Sequence, residues 1–241
     1  MKPFTVYDVP QGSVEWKRLR SGIFTASRAD DAFATTKKGD FTAERKNLRA
    51  ELALARLTGQ PKEDGYQSKV MLDGIKREAS AIRAYENIHG ALVRSCGFVR
   101  DNDAPIGCSP DGVIGDFEGL VQAKCPLQAT HLATLMALRN AAAMPVTDLI
   151  RAHGRLHLGA IAAESLPQIR HELYVPGASW CDYFSYHADF PEKLRAITIR
   201  VTREDVDLVR HAHLVKAFLD EVDAEYEQIM EMAGLSVIKG E

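Results

Sequence analysis

The stretch that most restricts this 241-residue chain is Ser109-Pro110-Asp111-Gly112 followed by Gly119-Leu120-Val121-Gln122-Ala123-Lys124-Cys125-Pro126. Pro-Asp-Gly is a turn signal, and the β-biased residues returning from Gly119 read as a strand paired to the one that the turn opens. Side chains alternate along a strand, so Gln122 and Lys124 share a face, while Ala123 points away and leaves its carbonyl oxygen available. An aspartate at the start of a hairpin and a lysine on its return strand then meet at one end of a sheet. Hard oxygen donors and an ammonium group at one point suit a magnesium ion. Such an ion activates water and stabilises charge on a phosphodiester. As bare spacing the pattern is weak, because Asp-Gly is a common turn and a strand lysine is commonly solvated.

Around this hairpin the periodicity alternates between helix and strand. Thr42–Leu57 reads as a helix stopped by Gly59 and Pro61, and a second runs from about Ser68 to Ile88, closed by Gly90. In the second, Met71, Ile75, Ile82 and Tyr85 lie on or near one stripe, with Glu78 on the same side. Leu92–Val99, Val113–Ile114 and Leu120–Lys124 are expected strands. Leu127–Arg139 and Val146–Glu164 are expected helices, the latter with Pro145 at its start and Gly154 and Gly159 inside it. A short helix is expected over Pro167–Leu173, then strands over Asp182–Tyr186 and Ala196–Val201. Thr202–Asp205 has the form of a capping box opening a long acidic helix, about residues 203–233. There is no internal repeat, low-complexity segment or linker. The expected architecture is α/β: a single domain over 1–241, with a mixed central sheet flanked by helices.

Charge enters because the total misleads. Lys plus Arg is 30 and Asp plus Glu is 33, a formal net charge of -3, which taken alone argues against a nucleic-acid partner. Yet Lys17–Arg77 carries 14 basic and 8 acidic residues, and Arg203–Glu241 carries 10 acidic and 4 basic. A basic N-terminal third and an acidic C-terminal helix are a different object from a mildly acidic protein. Cys96, Cys108, Cys125 and Cys181 show no C-x-x-C spacing, so zinc and iron–sulfur sites are unsupported. With no secretory signal and no run long enough to cross a bilayer, a cytoplasmic protein with no membrane association is expected.

Four blocks, in order, resemble the bacteriophage lambda exonuclease or YqaJ-type viral recombinase family, part of the PD-(D/E)xK nuclease superfamily. They are Trp16–Ser27; Gly74–Ala81 through Tyr85-Glu86; Cys108–Gly112 with Gly119-Leu120 and Lys124–Pro126; and Gln168–Val175 through Trp180–Tyr186. The match spans about Gly12 to Val201. It implies a restriction-endonuclease-like fold and a Mg²⁺-dependent 5′→3′ exonuclease, with two ions and Mn²⁺ as a substitute. The enzyme would degrade one strand of linear double-stranded DNA and leave a 3′ overhang for phage-type recombination. A single-strand annealing protein is the implied partner and a homotrimer ring the implied assembly.

By position, the resemblance implies Asp111, Glu78 and the Ala123 carbonyl as metal ligands, Lys124 as the catalytic lysine and Gln168 as an active-site amide. Arg20 and Ser27 match the pocket for the 5′ phosphate, and Ser109 joins the DNA-contacting set. Met71 matches an apolar wedge between terminal base pairs, although a core methionine explains it equally well. Lys37 and Lys38 become contacts to duplex backbone. Two departures stand out. Gln122 occupies the position of a family glutamate, a neutral and poorer ligand that implies weakened or lost activity. Arg170 occupies the place of a second glutamine and is a candidate phosphate contact. His131 is a candidate to orient phosphate or water, a satisfied structural histidine being at least as good a reading. The alternative to an enzyme is a catalytically weak relative that binds DNA ends as a recombination scaffold.

Overall fold

The computed structural model describes residues 2–61, 69–142, 151–153 and 155–235. Strand β1 (Phe4–Tyr7), helix α1 (Val14–Leu19), strand β2 (Phe24–Thr25) and helix α2 (Ala29–Phe33) precede two long helices, α3 (Ala43–Thr58) and α4 (Lys69–His89). Then come β3 (Phe98–Asp101), β4 (Ile106–Cys108), β5 (Gly112–Ile114), β6 (Gly119–Lys124) and α5 (Gln128–Ala142). The chain continues through β7 (Arg151–His153), α6 (Ser165–Tyr174), β8 (Trp180–Tyr186), β9 (Ala196–Thr202) and α7 (Leu208–Met232).

The strands form two mixed sheets where one was expected: β1-β3-β4-β2, and β5-β6-β8-β9-β7. The hairpin read from the sequence is present, with β5 antiparallel to β6 and Gly112 opposite Val121. On its other side β6 runs parallel to β8, Gln122 beside Tyr183 and Lys124 beside Ser185. Two glycines of the motif are set by close approach. A Cβ on Gly112 would lie 2.2 Å from Val93 Cγ1, and one on Gly119 would lie 2.1 Å from the Trp180 ring.

The two faces of the second sheet are covered differently, and this places the site. Val121 and Ala123 pack with Ala81 and Tyr85 of α4. Leu120, Cys181 and Tyr183 join the larger core, with Ile169 and Leu173 of α6, Leu48 and Leu52 of α3, and Phe218 and Val222 of α7. Helix α4 thus brings Glu78 to one side of the Asp111–Lys124 end, and α6 brings Gln168 to the other.

Helices α3 and α4 lie close to their expected spans, and Gly59 closes α3 in the left-handed region. The Thr202–Asp205 capping box forms, but it caps a 3₁₀ turn, and α7 starts from its own cap, Asp207, whose side chain accepts from the Arg210 N–H. The helix expected over Val146–Glu164 is not one. Its described part is strand β7, parallel to β9, followed by a 3₁₀ stretch over Arg155–Ala160. Pairing with an open sheet edge outweighs a helical period already weakened by two glycines. Of Leu92–Val99, only Phe98 and Val99 lie in a strand.

Candidate active site

Asp111 sits at the turn into β5, half-buried, and its Oδ2 accepts from the Ala123 N–H at 2.8 Å. The backbone of β6 therefore fixes the carboxylate, and residue 123 contributes a donor to it. Burial, and next the Glu78 carboxylate, push the Asp111 pKa up to about 7, against the pull of Lys124 and the Ala123 N–H. Burial also raises Glu78, again opposed by Lys124. The aspartate, the helix-borne glutamate and the lysine thus act on one another electrostatically. Glu78 and Asp111 line a cleft of about 740 Å³ whose wall also includes Gln11, Trp16 and Gly97.

On the opposite face of β6 a second set of groups meets. Lys124 Nζ donates to Gln168 Oε1 at 3.4 Å, and Gln168 Nε2 donates to Glu172 Oε1 at 2.9 Å. Glu172 is only 1% exposed. Burial and then the Asp111 charge raise its pKa to about 8, while the Gln168 hydrogen bond and Lys124 pull it down. Gln122 is fully buried, and neither its amide oxygen nor its nitrogen has a hydrogen-bond partner among the described residues. A buried, unpaired polar group costs on the order of 1–3 kcal/mol.

The first block folds into an arginine pocket. Arg20 Nη2 donates to Thr25 Oγ1 at 3.1 Å and Ser27 Oγ at 3.0 Å, and its guanidinium lies 4.0 Å from the centroid of the Trp16 ring. Burial lowers its pKa to about 10. Its neighbour Arg28 is paired with Asp31 and Glu51, whereas Arg20 meets hydroxyls and no carboxylate among the described residues. A stacked guanidinium among hydroxyls has donors to spare for an anion. The Trp16 indole N–H donates to Ser109 Oγ at 3.0 Å, so one side chain ties the arginine pocket to the Asp111 turn.

The structure thus brings together Asp111, Lys124, Glu78 and Gln168, with Gln122 and Ala123 on the same strand, and separately Arg20 with Ser27. Arg170 does not join them. Two residues beyond Gln168 in a helix, it turns to the far side of α6 and lines a pocket with Asp207, Arg210 and His211. His131 is buried and satisfied by Ser185 Oγ and the Leu194 carbonyl, both at 2.8 Å, so it has no atom to offer a phosphate. Lys37 and Lys38 lie in an exposed turn. Met71 falls in α4, but its side chain lies outside the described residues. Two side chains were not singled out from the sequence. Trp16 carried no signal beyond its place in the first block, and Glu172 carried one, its four-residue spacing from Gln168.

Among the described residues, no group of three or more His, Cys, Asp or Glu side chains is placed to hold a metal ion. The oxygen donors at the Asp111 end are two carboxylates, with position 122 and the backbone of residue 123 able to add only neutral oxygens. Magnesium asks little more, since it is commonly held by one or two carboxylates with water and substrate phosphate completing the shell. Two acids with raised pKa values, beside a buried amide oxygen without a hydrogen-bond partner among the described residues, fit a divalent cation.

The fold is α/β, with an acid-bearing hairpin and a lysine on its return strand at one end of a mixed sheet, and the comparisons make it a nuclease-type fold. The YqaJ-like viral recombinase domain model matches residues 15–179, more than half of the chain, and the chain belongs to that family. It is similar to the alkaline exonuclease LHK-Exo from Laribacter hongkongensis, with 30% identity over 92% of this chain and 98% of that one, at a TM-score of 0.70. The structure of LHK-Exo in complex with dAMP matches at 0.72 with the same identity and coverage. A phage related exonuclease from Haemophilus somnus 129PT shares the fold at 14% identity and a TM-score of 0.61, over 88% of this chain and 96% of that one. The chain has no significant match among curated proteins. Among the described residues, no helix is long and apolar enough to cross a membrane.

Proposed function

We propose that the protein is a Mg²⁺-dependent 5′→3′ exonuclease that acts on the ends of linear double-stranded DNA. The observation that carries this reading is the convergence of Asp111, Glu78, Lys124 and Gln168 at one end of β6, in a chain of the YqaJ-like family. LHK-Exo, 30% identical, is named an exonuclease and binds dAMP, a deoxynucleoside monophosphate of the kind that stepwise digestion releases.

Asp111, Glu78, the Ala123 carbonyl and the Gln122 amide oxygen would hold the cation, with Mn²⁺ able to replace Mg²⁺ and a second ion held more weakly. When bound, the cation supplies Lewis acidity and positive charge at the scissile phosphodiester. The chain's own residues do the rest. Lys124 offers its ammonium to the attacking water or to the charge growing on phosphate, and Gln168 orients it. Arg20, Ser27 and Thr25 receive the 5′ phosphate, and Trp16 links that pocket to Ser109 and so to the cleft. Lys37 and Lys38 meet the duplex backbone, where each neutralised phosphate makes affinity depend on salt. A 3′ single strand is left for an annealing protein, and three copies enclose the duplex in a ring.

Gln122 is the weak point of this site. It offers one negative charge fewer than glutamate where the cation would be held, so activity is lower than with glutamate. Incubating this chain and its Gln122→Glu variant with Mg²⁺ and linear duplex DNA bearing 5′ phosphates tests the reading. Release of mononucleotides from 5′ ends, faster in the variant and absent on circular duplex, is the expected result. If Gln122→Glu leaves the duplex intact while both proteins still bind its ends, the scaffold reading replaces the exonuclease.

A further inference from the structure

Glu172 is an ionisable side chain in a place where burial costs stability. It lies on α6, 1% exposed, and Lys124 acts on it only through space, by way of Gln168. Its contacts are the Gln168 amide nitrogen at 2.9 Å and the Cys181 thiol at 4.0 Å, the second a weak interaction at best. Neighbouring α6 positions on the core, Ile169 and Leu173, are apolar, as packing alone would ask of this one. An apolar residue there would carry no carboxyl to desolvate. What Glu172 does is therefore sought in what it holds.

It holds Gln168, one turn earlier on the same face. A side-chain amide has two ends of opposite character, and which end faces the cleft decides what it can do there. The lysine ammonium has only donors, so the end of Gln168 that meets Lys124 must be the oxygen, at 3.4 Å. That contact is too long to fix the amide by itself. Glu172 Oε1 accepts from the other end at the shorter distance. The two contacts agree on one orientation, and the stronger comes from Glu172.

We propose that Glu172 is a positioning residue: by accepting from Gln168 Nε2 it keeps Gln168 Oε1 turned toward Lys124 and holds the ammonium in place for the reaction. The inference rests on reading the cleft as a nuclease site. Glu172 itself touches neither substrate nor the reacting atoms.

Reach and charge are separated by two conservative variants made in the Gln122→Glu background. Glu172→Gln keeps an acceptor oxygen at the same reach and removes the ionisable carboxyl, whereas Glu172→Asp keeps the carboxyl and withdraws its oxygen by one methylene. Placement predicts that Glu172→Asp lowers kcat about tenfold with KM for duplex ends within about twofold, and that Glu172→Gln stays within about threefold of its parent. The ¹³Cε resonance of Lys124, assigned by its loss in Lys124→Arg, is read in the cation-free protein. It should move in Glu172→Asp and in Gln168→Leu and stay put in Glu172→Gln. An aspartate variant as active as its parent, or a glutamine variant worse than the aspartate one, overturns the proposal. So does a Lys124 resonance that ignores Glu172→Asp. If the parent digests no DNA, the nuclease reading fails, and the resonance still decides whether Glu172 positions Lys124.

Discussion

Two regions of this molecule are rich in charge, and they treat it in opposite ways. Along the α3–α7 seam, Arg45 is buried yet doubly bonded to Glu221 at 2.8 and 3.3 Å, donates to the Ala32 carbonyl, and lies 3.8 Å from the Phe41 ring centroid. Arg49 meets Glu221 and Glu225, and Arg56 meets Asp223. At the β6 cleft, Asp111, Glu78 and Glu172 face one lysine, and burial raises the pKa of all three. Each acid of the seam has an arginine, whereas the acids of the cleft outnumber their counter-charge. The first arrangement holds a helix in place, and the second leaves room for something positive. The sequence's charge split is therefore spent partly inside the fold. A portion of the basic N-terminal third neutralises the acidic C-terminal helix and is not presented to DNA.

One substitution in each region separates the two most sharply. In the Gln122→Glu background, Asp111→Asn should lower the digestion rate by about 10²–10³-fold or more, since a charge aimed at the reacting centre is lost. It should leave thermal stability unchanged or higher at pH 8, because one crowded acid is gone. Arg45→Ala should do the reverse. It leaves Glu221 only its longer contact with Arg49 and removes stacking on Phe41, costing about 2–4 kcal/mol of stability by urea unfolding while the folded fraction digests DNA normally.

A smaller effect separates the regions by pH. Asp111 titrates near 7 and Glu172 near 8, above their ordinary values of 3.8 and 4.5. The folded protein keeps protons there that the unfolded chain has released, so these groups favour folding most at low pH. Their contribution declines as pH rises from about 4 to about 8. The cation-free protein should therefore lose melting temperature as pH is raised across that window, and Asp111→Asn should flatten the decline. A decline as steep in the variant as in its parent would place its source elsewhere. Smallest is the arginine pocket: Arg20→Ala should slow digestion of 5′-phosphorylated ends about tenfold more than 5′-hydroxyl ends. Equal slowing of both would remove the phosphate role.

What could be read from the sequence divides along similar lines. Helices α3 and α4 and the Thr202–Asp205 box were legible because their signals are local: a periodic stripe, a stopping glycine, a cap. The hairpin at Asp111 was legible for the same reason. Strands β1, β2 and β4 were not, since each is two to four residues long and exists through partners distant in the chain, Phe4 opposite Asp101 and Phe24 beside Ile106. The Val146–Glu164 helix was misread because an apolar, alanine-rich stretch does not reveal that a sheet edge awaits it. Within the site, Asp111, Lys124 and Glu78 could be named from spacing and resemblance. Arg170 could not be placed, since a two-residue offset on a helix reverses its direction. The burial of Glu172 arises only when α6 packs on β6. The arginine–carboxylate pairing of the seam was equally hidden, because Arg45 and Glu221 lie 176 residues apart.

A cleft built for a divalent cation and weakened at position 122 binds Mg²⁺ in proportion to the carboxylates it holds. Calorimetric titration of Mg²⁺ into this chain, Gln122→Glu and Asp111→Asn at pH 8 tests this without reference to DNA. Weak binding to the Gln122 chain, binding at least about tenfold tighter to Gln122→Glu, and none detectable to Asp111→Asn are expected. Equal affinity in all three proteins would contradict this reading of the cleft.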